Sequence, residues 1–297
     1  MIDINYEKGD IQMSESVCII NDYYNSPLVI RAIKSVIDYV DKVIVITSNV
    51  NSFSNFPDKP VNSVHFSNVL KNFNELQQNK IENYDIGSDN VGYRYIVGII
   101  HSDADYYFLL DYDDIFLPDK VKKISSLLNG NYNIIKESEF FNPKLDFMQN
   151  VIRNNIDWHI SQYSFNKYFK DILLKFFNDN KIPTNASFDK ILFLLGIEHV
   201  MEITNQSYTQ IIKHSNSRTK TMNKTNFYAN TAGIFSKLKH VNFHTLACDD
   251  YIEYNLLLNR FLSKPDKYKY GELVNNYKLP IYKLLYYKLY SIRSDRK

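Results

Sequence analysis

Hydrophobic and polar positions fall into blocks along the first half of this chain. SVCIIN, residues 16–21, is an apolar run rich in β-branched residues and predicts a buried strand. In NSPLVIRAIKSVIDYV the period changes. Leu28, Ala32, Ile33, Val36 and Ile37 recur at helical spacing, with Ser26 as N-cap and Pro27 at the first helical position. KVIVIT, residues 42–47, predicts a second buried strand, and a polar stretch then leads to a weak third strand at Val64–Phe66. SDNVGYRYIVGIIH (88–101) predicts a loop entering a helix, and DYYFLL (105–110) the next strand. LPDKVKKISSLL predicts a helix with Pro118 near its start, and YNIIKES (132–138) a further strand. Continuous apolar strands alternating with helices predict an α/β layer whose central sheet is mostly parallel.

Beyond residue 140 the pattern is less regular. SFNKYFKDILLKFFND predicts an amphipathic helix at 164–179, and FDKILFLLGI a shorter one. AGIFSKLKH and DDYIEYNLLLNRFL predict the last helices of the body. Pro265 to Gly271 reads as a linker to a tail. The chain therefore divides at about residue 262, with a first half over 15–130, a second over 131–262, and the tail over 263–297.

Composition narrows the class. The 297 residues are 44% hydrophobic and carry a net charge of +2, which fits a globular protein and does not suggest nucleic acid as a partner. Cys18 and Cys248 have no metal-type spacing, so a reduced, cytoplasmic protein is expected. The first ten residues lack the apolar core of a secretory signal. Charge is uneven. The tail holds nine basic and three acidic residues, a net +6 that leaves −4 for the rest. Its Ile281, Leu284, Leu285, Leu289 and Ile292 share one helical face, interrupted by Lys288. Peripheral membrane contact is one reading and packing on the body, with snorkelling lysines, the other.

The chemistry concentrates where YYFLL runs into DYDDIF. Asp111, Asp113 and Asp114 follow a buried strand directly. The carboxyl end of a parallel strand is where open α/β sheets bind ligands. Carboxylates this close repel one another and need a cation or strong donors to remain ionised together. A Mn²⁺ or Mg²⁺ ion completed by substrate phosphates meets that need. The structural alternative is an acidic turn, with Asp113 or Asp114 capping the next helix. A second acidic element, CDDYIEY, sets Asp249 and Asp250 at the start of a predicted helix, where either would suit the helix dipole.

SVCIINDYYN, the helix after it, NVGYRYIVGIIHSDADYYFLLDYDDIFLPDKV and CDDYIEY together resemble the family-2 type of inverting glycosyltransferases with the GT-A fold. The likeness is good over about 15–130, moderate over about 226–262, and says little of 140–225. It implies a GT-A (nucleotide-diphospho-sugar transferase) fold, a nucleotide-sugar donor, and a saccharide, lipid-linked or protein-linked glycan acceptor. It implies Asn21, Asp22 and Tyr23 at the nucleotide base. It implies Asn90, Gly92 and Arg94 in the donor-binding stretch, where Arg94 would neutralise phosphate or else be a solvated helix residue. Asp111 would contact donor ribose and metal, Asp113 would be the direct metal ligand, and Asp114 a secondary one. Asp250, with Asp249 as alternate, would be the general base that deprotonates the acceptor. The activity implied is metal-dependent transfer of a sugar with inversion, in the cytoplasm or at the cytoplasmic face of a membrane.

One departure stands out. The family has an acid just after the second strand, whereas here Thr47, Ser48 and Asn49 follow it. Base recognition must differ accordingly. A sugar nucleotidyltransferase is a rival, but it would carry a Gly-rich basic loop after the first strand, and NDYYNS has none. A non-catalytic binding or assembly protein on a degenerate transferase scaffold is the rival from another class.

Overall fold

The structure, a computed structural model, describes residues 14–22, 25–48, 63–86, 91–145, 149–150, 159–179, 188–212 and 257. Tyr23, Asn90, Asp249, Asp250, the helices expected near 232–240 and 249–262 (apart from Leu257) and the basic tail lie outside them.

The first half alternates strand and helix: β1 (Ser16–Asp22), α1 (Val29–Val36), β2 (Lys42–Ser48), α2 (Val64–Leu70), α3 (Glu75–Gln78), β3 (Ile81–Ile86), α4 (Val91–Ile100) and β4 (Tyr106–Asp111). The acidic stretch leads into a short β5 (Ile115–Phe116) and then α5 (Lys120–Leu128). The second half gives β6 (Ile134–Glu137), a 3-10 turn (Ile160–Gln162), β7 (Tyr163–Asn166), α6 (Lys167–Asp179), α7 (Phe188–Glu198), β8 (Met201–Thr204) and β9 (Thr209–Gln210).

Seven strands form one sheet in the order β3-β2-β1-β4-β7-β6-β8. The first four run parallel, β7 is antiparallel to both neighbours, and β8 is parallel to β6. The register sets the strand ends side by side. Asn21 pairs with Asp111, Asp22 with Thr47, and Thr47 with Asp85. The β5–β9 ribbon is a separate antiparallel pair.

Both faces of the sheet are covered, which is why its strands read as continuous apolar runs. Val17 and Ile19 point into the core under α4, α6 and α7, whereas Cys18 and Ile20 point into the core under α1 and α5. Contact with α4 is close: a Cβ at Gly98 would lie 2.5 Å from Ile19 Cγ2, so only glycine lets the helix sit this low on β1. Among the described residues no helix is long and apolar enough to cross a membrane.

Two sequence expectations are corrected. Val64–Phe66 begins a helix, not a strand. Ser63 caps it by accepting from the Phe66 N–H at 3.2 Å, and Phe66 and Val69 bury one face. The third strand is instead IENYDI, whose polar residues at 82, 83 and 85 hid it. The helix expected from 164 begins at Lys167, because residues 163–166 pair with β4 and β6.

Candidate active site

The carboxyl ends of β1, β3 and β4 bring Asn21, Asp22, Asp85 and Asp111 to one edge of the sheet. This edge is where the topology of a doubly covered sheet leaves a crevice for ligands. The carboxylate loop starts there. Asp114 N–H donates to the Asp111 carbonyl at 3.1 Å and Tyr112 N–H to the Asn21 carbonyl at 3.2 Å, so the chain turns back over β1. The acidic-turn reading fails in its specifics, because α5 begins six residues after Asp114, with Asp119 at its N-cap position.

The three carboxylates of the loop differ in environment. Asp111 is partly exposed, and its Oδ1 accepts the Tyr95 hydroxyl at 2.7 Å. Burial, then the charge of Asp114, holds its carboxyl well above the usual carboxylate range; Asp113 and Asp189 add to this and the Tyr95 hydrogen bond opposes it. Asp113 is likewise partly exposed. Asp114 is buried and both of its oxygens are engaged, Oδ1 by the Ile212 N–H at 3.0 Å and Oδ2 by the Ser161 hydroxyl at 2.6 Å. Its carboxyl is pushed up to about 6, chiefly by burial. Among the described residues no group of three His, Cys, Asp or Glu side chains is arranged to hold a metal ion. Asp111 and Asp113 therefore offer at most a two-carboxylate site, the number that suits Mg²⁺ or Mn²⁺ when phosphate oxygens complete the shell. The charges of Asp113 and Asp114 raise the proton affinity of Asp111, and a cation there would relieve that repulsion.

At the base end of the site the expected residues are tied into the protein. Asp22 is fully buried; its Oδ1 accepts from the Ser26 N–H at 2.8 Å and its Oδ2 lies 3.1 Å from His65 Nε2. Arg94 is 1% exposed, so it is not a solvated helix residue. It donates to Asn21 Oδ1 at 3.2 Å and to the Asp22 carbonyl at 3.4 Å, fixing the end of β1 from below. Gly92 has a packing reason: a Cβ there would meet Phe188 Cβ at 3.1 Å.

Two residues that the sequence reading did not single out stand at the site. Asp85, 4% exposed, accepts from the Thr47 hydroxyl and from Asn83 Nδ2 at 3.1 Å. Asp85 is thus a buried carboxylate on the neighbouring strand, at the position paired with Thr47. Asp189, in the first turn of α7, adds its charge to the field at Asp111. The adjacent Phe188 stacks on Tyr95, ring centroids 5.8 Å apart, and Tyr95 bonds Asp111. Asp189 is thereby a second-half carboxylate whose charge reaches Asp111. A cavity of about 420 Å³, lined by Asp105, Tyr106, Asn166 and Lys167 among others, lies at the opposite end of β4 and belongs to none of this.

Comparison with known proteins agrees on the architecture. No protein-family model matches the chain, and no curated protein matches it in sequence. Residues 1–349 of S. aureus TarS in complex with UDP-GlcNAc superpose with a TM-score of 0.58 at 11% identity, covering 90% of this chain and 82% of that one. The same fragment in complex with UDP gives 0.54 at 11% identity, over 88% and 75%. Glucosyl-3-phosphoglycerate synthase from Mycobacterium tuberculosis, in complex with Mn²⁺, UDP and phosphoglyceric acid, gives 0.45 at 11% identity, over 73% and 78%. The class defined is the GT-A fold, with a mostly parallel central sheet flanked by helices. Within that class, the structure it is similar to at the higher score is a nucleotide-sugar complex.

Proposed function

We propose that this chain is a metal-dependent glycosyltransferase that moves a sugar from a nucleoside diphosphate donor to a hydroxyl acceptor with inversion. The observation that carries the reading is the placing of Asp111 and Asp113 at the carboxyl edge of a GT-A sheet, with the charge of Asp189 felt at Asp111. The TarS complex with UDP-GlcNAc supports a nucleotide-sugar donor for this fold.

In this reading the base and ribose lie over the ends of β1 to β3, against Asp85 and Thr47. Asp111 and Asp113 would hold Mn²⁺ or Mg²⁺. The ion would supply Lewis-acid neutralisation of the leaving diphosphate, which needs charge compensation more than a proton. The acceptor hydroxyl attacks the anomeric carbon from the side opposite the diphosphate. The new C–O bond forms as the C–O(phosphate) bond breaks, and the acceptor proton passes to a carboxylate. Inversion requires that base on the far face of the sugar, as in inverting glycoside hydrolysis. Asp189 is the described carboxylate of the second half that suits this role. Asp250 and Asp249 are its competitors.

The test is thermal stability against the diphosphates of uridine, guanosine, thymidine, cytidine and adenosine, with Mn²⁺ and with chelator. Saturation at about 100 times the dissociation constant stabilises by about 2.7 kcal/mol. A shift for one base that needs metal, followed by turnover or hydrolysis of the matching sugar donor, is the expected result. A metal-independent shift, or no shift at all, would overturn it.

A further inference from the structure

Asp114 is held from the other side of the molecule. Ser161, in the 3-10 turn before β7, accepts the Asp111 N–H at 2.9 Å and donates its own hydrogen to Asp114 Oδ2 at 2.6 Å. One hydroxyl therefore joins the two ends of the carboxylate loop. The Ser161 carbonyl is gripped in turn, by Lys120 Nζ at 2.7 Å and the Thr209 hydroxyl at 3.0 Å. Lys120 is fully buried and its three ammonium hydrogens have three acceptors: the Ser161 carbonyl, Thr209 Oγ1 at 2.7 Å and Glu137 Oε1 at 2.5 Å. Glu137 is also fully buried and accepts the Tyr208 N–H at 2.5 Å. Beside Thr209, the Ile212 N–H reaches Asp114 Oδ1.

A buried ion pair of this kind is not needed for stability, since apolar residues of similar volume often do as well or better. What this pair does geometrically is fix one carbonyl. That carbonyl belongs to the residue whose hydroxyl spaces Asp111 from Asp114. The linked residues come from α5, β6, the 3-10 turn and β9, so nothing local in sequence would assemble them.

We infer that Ser161 is a positioning residue for the carboxylate loop, with Lys120, Glu137 and Thr209 as its anchor, and that Asp114 is a strut of this clamp and not a metal ligand. The metal part of the inference rests on the proposed function; the clamp does not. By removing both the acceptor of the Asp111 N–H and the donor to Asp114, Ser161→Ala frees the loop that presents Asp111 and Asp113. Ser161→Thr keeps the hydroxyl.

Two readouts on the full chain separate the parts. Amide hydrogen exchange follows residues 111–116, and electron paramagnetic resonance follows binding of Mn²⁺ alone. For Ser161→Ala the expectation is at least about tenfold faster exchange in 111–116, with β1 and β2 unchanged, and at least about tenfold weaker Mn²⁺ binding, in line with loss of a hydrogen bond to a charged group. Ser161→Thr restores both. If Ser161→Ala does not fold, Thr209→Val, which removes the hydroxyl that holds the Ser161 carbonyl and accepts from Lys120, is read the same way and should move both measures in the same direction. Exchange and Mn²⁺ affinity within twofold of the parent overturn the inference, and faster exchange with unchanged Mn²⁺ affinity reduces Ser161 to a structural residue. If the parent binds no Mn²⁺, the proposed function fails, and exchange alone decides the clamp.

Discussion

The Tyr95 hydroxyl donates to Asp111 Oδ1 at 2.7 Å, from a ring fully buried in α4. Burial and the neighbouring carboxylate raise the phenol well above its ordinary value, so it stays a donor across the working pH range. Tyr95→Phe keeps the ring that stacks on Phe188 and removes the hydrogen bond that opposes protonation of Asp111. The hydrogen bond lost is to a charged group, about 1.5–3 kcal/mol. The expected outcome is at least about tenfold weaker Mn²⁺ dependence of diphosphate binding near neutrality, partly recovered at higher pH. Isothermal titration across pH checks this, and parent-like metal dependence at every pH would remove Tyr95 from the site.

Under the proposed function, a substitution at Asp189 should separate binding from transfer. Asp189→Asn keeps the side chain's size and its place in the first turn of α7, but it cannot take a proton. Diphosphate and metal binding should stay within a few-fold of the parent, and sugar transfer should fall by about 10²–10⁴, the usual contribution of a general base. The same pair of measurements on Asp250→Asn decides between the two acids. Full transfer by Asp189→Asn together with its loss in Asp250→Asn would hand the role to Asp250.

Much of the sheet was legible because β1, β2 and β4 are buried on both faces and announce themselves as apolar runs. IENYDI was not legible, since Glu82, Asn83 and Asp85 break the run; Asn83 and Asp85 bond each other at the carboxyl end of the strand. Helix α2 carried a readable signal, Ser63 before an i, i+3 apolar pair, but VHF looked like a strand. Asp111 and Asp113 could be found because strand and carboxylates are adjacent in sequence. Asp189 could not, because an acid in the first turn of a helix reads as a capping residue, and its nearness to Asp111 exists only in the folded chain. The burial of Arg94 was not legible for a related reason: nothing local says that a helix is covered all round, yet α4 is buried from residue 94 to 99. The Lys120–Glu137 anchor joins residues 17 apart through a third at 161, a juxtaposition that no motif encodes.

Asp85 is the base-end counterpart. Its Oδ1 accepts from both Thr47 and Asn83, which orients the carboxylate at the mouth of β3. A carboxylate offers only acceptors, so it favours a base edge that presents N–H donors. Asp85→Asn replaces one acceptor with a donor. The ratio between the tightest- and weakest-binding nucleoside diphosphates should shrink by about tenfold, with the Mn²⁺ requirement retained. The five-diphosphate panel repeated on the variant tests this, and an unchanged ranking with an unchanged ratio would move base selection elsewhere.

Asp114 makes stability depend on pH in an unusual direction for a carboxylate. Burial lifts it from an ordinary 3.8 to about 6, so the folded chain holds its proton more tightly than the unfolded chain. The corresponding stability is fully present below about pH 3.8 and is lost as pH rises through about 6. Asp22 and Asp111, also raised by burial, act in the same direction. Asp114→Asn cannot titrate. It should therefore gain on the parent between pH 4.5 and pH 7.5, by on the order of 2 kcal/mol, because part of the difference is already lost by pH 4.5. Urea denaturation in chelator at the two pH values measures this. A gap between variant and parent that stays constant over the range would show that the carboxylate is already ionised in its place between Ser161 and Ile212, and that the clamp holds it as a charge.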